Sequence, residues 1–62
     1  MKYKYKPATD VLIMHFEDGK LDHAEQNGNV IAHYSKKGEL LELEILDASK
    51  EAANMIQAIM KS

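Results

Sequence analysis

The chain has no cysteine, only one proline and no long apolar run. Without cysteine it has no disulfide framework, thiolate metal site or catalytic thiol. No apolar run approaches the roughly 18 residues of a membrane span, so we expect no membrane partner and no signal peptide. The chain also lacks an excess of positive charge, since 8 basic residues face 10 acidic ones and the pI is about 5.8. This balance argues against a protein that binds nucleic acid through bulk charge.

The length of 62 residues leaves room for a single domain, residues 1–62, with a small core. A chain of about 60 residues buries only about 60% of its unfolded surface, so its stability is marginal. Association with another chain or a bound metal commonly supplements so small a core. Hydrophobic residues make up 45% of the sequence, which is typical of a folded chain rather than a disordered one.

Alternating residues and turn signals predict a sheet in the first three quarters of the chain. Tyr3 and Tyr5 alternate with lysines, which is typical of a half-buried strand, and residues 11–16 form a short apolar run. Asp18-Gly19 and Asn27-Gly28 are typical hairpin turns, and a third glycine turn follows. We therefore predict strands at about 2–6, 11–16, 21–26, 30–34 and 40–46.

After Leu46 the apolar period changes to that of a helix. Apolar residues recur at spacings of three and four, which places them on one helix face. These residues are Ala52, Met55, Ile56, Ile59 and Met60. We predict a helix at about 48–61, with Asp47 or Ser49 as its N-cap. The predicted fold is α+β, an antiparallel β-meander of about five strands with this C-terminal helix packed across one face and Met55, Ile56 and Ile59 buried.

The turns also predict which side chains share a face of the sheet. Two-residue loops would place His15 opposite Asp22, Asp22 opposite His33, and His33 beside Glu42. A bulge at Gly38 would shift the last pair by one residue, so two registers stay open there. The preferred register gives one apolar face under the helix. It carries Leu12, Met14, Phe16, Leu21, Val30, Ala32, Tyr34, Leu41, Leu43 and Ile45.

The opposite face mixes apolar and titratable residues that a single helix cannot cover. An exposed patch of β-branched residues indicates a partner or a second copy of the chain. The predicted interface residues are Val11, Ile13, Ile31 and Leu40. The alternative is that these are ordinary scattered surface apolar residues.

The same face is predicted to hold two imidazoles and two carboxylates in one cross-strand row. Such a donor set suits zinc or another divalent ion. The candidate metal ligands are His15, Asp22, His33 and Glu42. The alternative is a solvated polar stripe with a histidine–aspartate contact, and no other cofactor is expected.

Two segments resemble a known family. Residues 5–16 resemble its opening pattern, Tyr-x-Pro-x-x-Asp-x-Leu-x-apolar-x-Phe, and residues 38–49 resemble its closing pattern, a glycine turn running into Ile/Leu-Glu-Ile-Leu-Asp-Ala-Ser. The chain is similar over nearly its whole length to the small prokaryotic domain-of-unknown-function family 2283. The resemblance implies a bacterial or archaeal cytoplasmic protein and no established activity. Some relatives look like neighbours of small toxin-like proteins, which suggests an antitoxin or partner-binding role.

The chain departs from the family pattern at the fourth strand and the turn after it. Relatives are often acidic where this chain has His33, Ser35, Lys36 and Lys37. An acidic cation site shared with the family is therefore not implied at these positions.

No sequence motif indicates catalysis. Ser35 lies in a predicted turn and Ser49 at a predicted cap, and neither has the setting of a nucleophile. We expect a non-enzymatic protein-interaction module, including an antitoxin-like role, that works as a homodimer or with a small protein partner. The alternative is a metal- or small-ligand-binding domain that uses the histidine-rich sheet face.

Overall fold

The computed structural model describes residues 1–61, which form five strands and one helix. They are β1 (Lys2–Lys6), β2 (Val11–His15), β3 (His23–Asn27), β4 (Val30–Tyr34), β5 (Leu40–Ile45) and α1 (Ala48–Lys61). The strands form one antiparallel sheet, so the α+β class with a C-terminal helix is confirmed. Compared with the predicted bounds, β2 and β5 end one residue earlier and β3 begins two residues later.

The strand order in the sheet is β1-β2-β5-β4-β3, so β2 and β3 are not neighbours. Strands β3, β4 and β5 are adjacent in chain order and β2 lies beyond β5, which is a Greek-key arrangement. The predicted Asp18-Gly19 hairpin, with His15 opposite Asp22, is therefore wrong. Residues 16–22 instead pass β5 and β4, where Phe16 N donates to the Leu41 carbonyl (2.8 Å) and Asp22 N to the Tyr34 carbonyl (2.9 Å).

This crossing segment covers Leu41, which is 2% exposed and is the one buried apolar residue among residues 1–60. A Cβ added at Gly19 would lie 3.2 Å from Leu41 Cδ1 and 3.3 Å from Leu41 Cδ2. Glycine at this position therefore lets the backbone approach a core side chain closely, rather than forming a hairpin turn.

The turn between β3 and β4 differs from the predicted one by a single residue. Asn27 pairs with Val30, so Gly28 and Asn29 are the two central residues. Gly28 has a φ of 60°, and glycine at the first central position is typical of a type II′ turn. The predicted Asn27-Gly28 loop is therefore wrong.

The changed turn moves the partners of β4 along β3. Ala24, not Asp22, lies opposite His33, while His33 pairs with Glu42 as predicted. The register between β4 and β5 shifts beyond that pair, where Tyr34 is opposite Leu40. The β-bulge that the sequence allowed near Gly38 is thus present, but it lies between His33 and Tyr34 and does not disturb the His33–Glu42 pair.

Helix α1 does not pack across the sheet, and this part of the predicted fold is wrong. Met55 is 65% exposed, Ile56 is 56% exposed and Met60 is 79% exposed, and Ile59 is exposed as well. The radius of gyration is 13.1 Å, whereas a compact chain of this length has about 10.6 Å. The helix therefore extends the molecule beyond the sheet.

The start of the helix explains its direction. Asp47 occupies the N-cap position as predicted, since its carbonyl accepts from Glu51 N (3.1 Å). The side-chain cap comes from the β1–β2 turn, where the Asp10 carboxylate accepts from Ser49 N (3.1 Å) and Ser49 Oγ (2.7 Å). Asp10 thereby satisfies an otherwise unpaired amide of the first helical turn.

Two further hydrogen bonds fix the helix start against neighbouring turns. The Asp10 carbonyl accepts from Ala48 N (3.0 Å), and Asn29 Nδ2 donates to Glu51 Oε1 (2.9 Å). Residues 46–47 alone connect β5 to α1. A connection this short, anchored to two turns, sets the direction of the helix.

Candidate functional site

The sheet has one face that is almost purely apolar along its three inner strands. Two rows of paired residues cross β2, β5 and β4 on this side. Their residues, which we call the apolar face, are Leu12, Met14, Val30, Ala32, Leu43 and Ile45. Val30 is 37% exposed and the other five are half-buried. The face is partly accessible because helix α1 does not cover it.

The other side of the sheet, which we call the histidine face, carries two mixed rows. In one row Glu42 lies between His15 and His33, and in the next Glu44 lies between Ile13 and Ile31. Period-two alternation along β5 places both glutamates on this side. The histidine face is therefore polar at its centre, in contrast to the apolar face.

Its polar side chains contact one another across the strands. His33 Nε2 lies 2.5 Å from Glu44 Oε1, and His15 Nδ1 lies 3.5 Å from Glu42 Oε1. The other ring nitrogen of His15 lies 2.9 Å from Asp18 Oδ1. The side chains of His33 and Glu44 are 20% and 30% exposed, so solvent and ions reach the pair.

Three of the four predicted metal ligands share this row. His15, His33 and Glu42 are brought together, but Asp22 is not, since its carboxylate pairs with His23 Nδ1 at 2.9 Å. Glu44 is the residue that sequence reasoning missed. Its two-residue spacing from Glu42 on one strand was the available signal.

His33, Glu42 and Glu44 each offer a ligand atom, and these atoms lie within 4.8 Å of one another. Zinc binds nitrogen and oxygen ligands at about 2.0–2.2 Å, so an ion would have to replace the direct contact between His33 Nε2 and Glu44 Oε1. One imidazole and two carboxylates form a donor set that suits a borderline divalent cation. The metal site therefore stays a prediction, with Glu44 in place of Asp22.

A separate polar cluster lies at the helix start. The Tyr5 hydroxyl donates to Asp10 Oδ1 at 2.6 Å, and this bond, together with those from Ser49, lowers the pKa of Asp10. The same hydrogen bond, followed by burial and the nearby charge, raises the pKa of Tyr5. Charged Asp10 is thus the favoured state of the folded chain.

The predicted interface residues lie on β2, β4 and β5, the three strands that also carry the histidine face. Val11, Ile13 and Ile31 are half-buried, and Leu40 is 38% exposed at the bulge opposite Tyr34. Their role as an interface stays a prediction. The prediction assumed that the helix covers the apolar face, whereas in the structure the helix leaves that face partly accessible.

Comparison with protein families matches residues 2–49 to the family described as protein of unknown function (DUF2283). The chain belongs to this family. The match covers the sheet and the helix cap and ends at Ser49, so most of helix α1 lies outside it. No curated protein and no solved structure matches the chain. Within the described residues, no helix has the length and apolar character needed to cross a membrane.

Proposed function

We propose that the protein is a non-enzymatic protein-interaction module whose docking surface is the apolar face of its sheet. The observation that carries this proposal is that the apolar face is only partly covered and that the apolar side of helix α1 is exposed in the same small chain. Exposed apolar patches larger than a few hundred Å² are rare on monomers and mark interaction sites.

The apolar face suits a protein partner better than the histidine face does. Its six residues include no charged group, whereas Glu42 and Glu44 lie at the centre of the other side. Desolvating a carboxylate costs free energy unless the partner supplies a matching group, but an apolar row needs only a complementary apolar surface. The family resemblance favours a small protein as partner, as in an antitoxin-like role.

A matched pair of variants tests which face docks. Ala32→Glu places a carboxylate on the apolar face, and Ala24→Glu places one opposite His33 on the other side. Each variant is co-expressed with a tagged native copy of the chain and, separately, with the tagged product of the adjacent gene, and recovery is compared for whichever tagged partner the native chain captures. Circular dichroism confirms that each variant is folded. We expect Ala32→Glu to reduce co-purification at least tenfold and Ala24→Glu to preserve it. Equal recovery of both variants would contradict docking on the apolar face.

A second candidate function is binding of a divalent cation on the histidine face. The observation that favours it is the convergence of His33, Glu42 and Glu44 ligand atoms within 4.8 Å. His15 borders the same row through Glu42 and could complete a fourth position. The bound ion would be held by neutral imidazole and charged carboxylates, so binding should weaken as pH falls.

Calorimetric titration of the untagged protein with zinc chloride tests this candidate. We expect one ion per chain, with at least tenfold weaker binding in Glu44→Gln and no change in Glu25→Gln, which alters an exposed carboxylate of β3. Absence of zinc binding by the native chain, or equal binding by both variants, would exclude this site.

A further inference from the structure

We infer that the partner of the apolar face is a second copy of this chain, whose helix α1 lies across it while the two copies exchange helices reciprocally. This inference rests on the proposed interaction function and names its partner. In such a dimer each chain gives its helix to the other and receives a helix on its own sheet. It differs from a dimer built on Val11, Ile13, Ile31 and Leu40, because it uses the opposite side of the sheet.

The first argument is that the two surfaces match in chemistry. Met55, Ile56 and Met60 are large apolar residues that are exposed on the helix. Helix residues 52–60 include no charged side chain. The apolar face has no charged side chain either. Both halves of one helix-on-sheet contact are thus present on the same chain, with the helix side exposed and the sheet side only partly covered.

The second argument is that the anchored connection keeps the helix from its own sheet. Asp10 and Asn29 hold the first helical turn at the end of the sheet, and the connection is two residues long. Folding the helix back would break these hydrogen bonds, whereas a second copy can receive it without breaking any. Short connections of this kind favour exchange of an element between copies over closure within one.

The third argument is the amount of surface. The chain exposes 4963 Å², whereas a folded monomer of its mass exposes about 4,000 Å². The excess is about 950 Å² per chain, or about 1,900 Å² for two, and a stable protein interface buries about 1,200–2,000 Å² in total. The surplus surface therefore lies within the range that one dimer interface of ordinary size buries.

The fourth argument is that a symmetric dimer leaves neither apolar surface exposed. A two-fold dimer uses the same patch on both copies, so one symmetry operation covers both sheets and both helices at once. A different protein would have to supply both a groove for the helix and an element for the sheet. The second copy is the partner that already carries both.

The test combines sedimentation with isotope-filtered NMR on the full chain. Native protein, Ile56→Asp and Gln57→Asp are sedimented from 1 to 500 µM, and labelled native chains are mixed with unlabelled ones. Gln57→Asp adds the same charge one residue away, outside the apolar stripe, and controls for changes in helix stability. We expect a dimer that Ile56→Asp weakens at least tenfold and Gln57→Asp preserves. We also expect intermolecular contacts between the methyl groups of Ile56 and Leu43.

Three outcomes would overturn the exchange. A dimer that resists Ile56→Asp would place the interface elsewhere. A monomer in which the methyl groups of Ile56 and Leu43 are in contact within one chain would defeat both the exchange and the proposed docking surface. A monomer without such contacts would exclude the second copy but leave the apolar face open to a different protein, so the two proposals fail separately.

Discussion

At the scale of single residues, Asp10 links three parts of the chain. It follows the proline turn, takes a positive φ of 55°, and accepts hydrogen bonds from Tyr5 and Ser49. Aspartate tolerates this backbone conformation better than most residues do, and its carboxylate supplies the helix cap. One side chain therefore joins β1, the β1–β2 turn and the start of α1.

This role gives the protein a defined acid sensitivity. The pKa of Asp10 is lower in the folded chain than its ordinary value, because Tyr5 and then Ser49 donate to the charged form. The resulting stability is complete above the ordinary aspartate pKa and is lost as pH falls through the lower folded value. We expect Asp10→Asn to lower the melting temperature at pH 7, with the difference from native protein shrinking below pH of about 4. Asparagine is chosen because it also tolerates a positive φ.

Thermal unfolding followed by circular dichroism from pH 7 to pH 2.5 measures this difference. Tyr5→Phe, which removes the hydroxyl donor, should give an intermediate curve. Melting temperatures of native and Asp10→Asn protein that run parallel across the whole pH range would contradict the role assigned to the carboxylate.

At the scale of elements, the connection between β2 and β3 replaces the helix as cover for part of the sheet. It crosses β5 and β4 and encloses Leu41, which is the best-buried apolar side chain of the described chain. Gly19 lies directly over the Leu41 methyl groups. Backbone rather than a side chain therefore closes the core at this end.

Substitutions in this connection should be costly where it meets Leu41. Gly19→Ala puts a methyl group about 3.2 Å from the Leu41 side chain, and overpacking of this kind destabilises by about 1 kcal/mol or more. Leu41→Ala should cost about 3 kcal/mol through loss of buried contacts. The exposed neighbour change Lys20→Ala should alter stability by less than about 0.5 kcal/mol. Urea unfolding measures all three, and a Gly19→Ala variant as stable as Lys20→Ala would contradict the close approach.

At the scale of the whole molecule, the chain buries too little surface to be typical of an isolated domain. Its radius of gyration of 13.1 Å is that of a compact domain of about 100 residues. We therefore expect the free energy of unfolding of this chain to depend on association, which would bury the helix and the apolar face.

If the exchanged dimer is the stable form, the melting temperature should rise with protein concentration, because mass action favours the associated folded state. We expect a rise of several degrees between 5 and 500 µM for native protein and Gln57→Asp, and a flat, lower value for Ile56→Asp. Differential scanning calorimetry measures this directly. A native melting temperature that is constant over this range would contradict coupling between folding and association.

The sequence by itself determined the local structure and the composition of each face. Period-two alternation placed Leu12, Met14, Leu43 and Ile45 on one side of the sheet. Apolar residues at spacings of three and four after Leu46 predicted the helix at 48–61. These features depend on neighbours in the sequence, where propensity and turn chemistry act. The His33–Glu42 pair was predicted from a two-residue loop at Lys37-Gly38, but the observed turn pairs Tyr34 with Leu40, and a β-bulge between His33 and Tyr34 restores the predicted pair.

Tertiary structure decided which elements meet. Asp18-Gly19 has the residues of a hairpin turn, but its backbone packs over Leu41 instead of reversing the chain. Strand β3 therefore lies at the edge of the sheet, beside β4 and not beside β2. That order moved Asp22 away from His15, and the Asp22 carboxylate contacts His23 instead. The amphipathic pattern of α1 showed that its apolar side needs cover, but only the anchoring of its first turn by Asp10 and Asn29 set where the helix points. Contacts between residues far apart in the chain leave no local pattern, which is why these features became visible only in the fold.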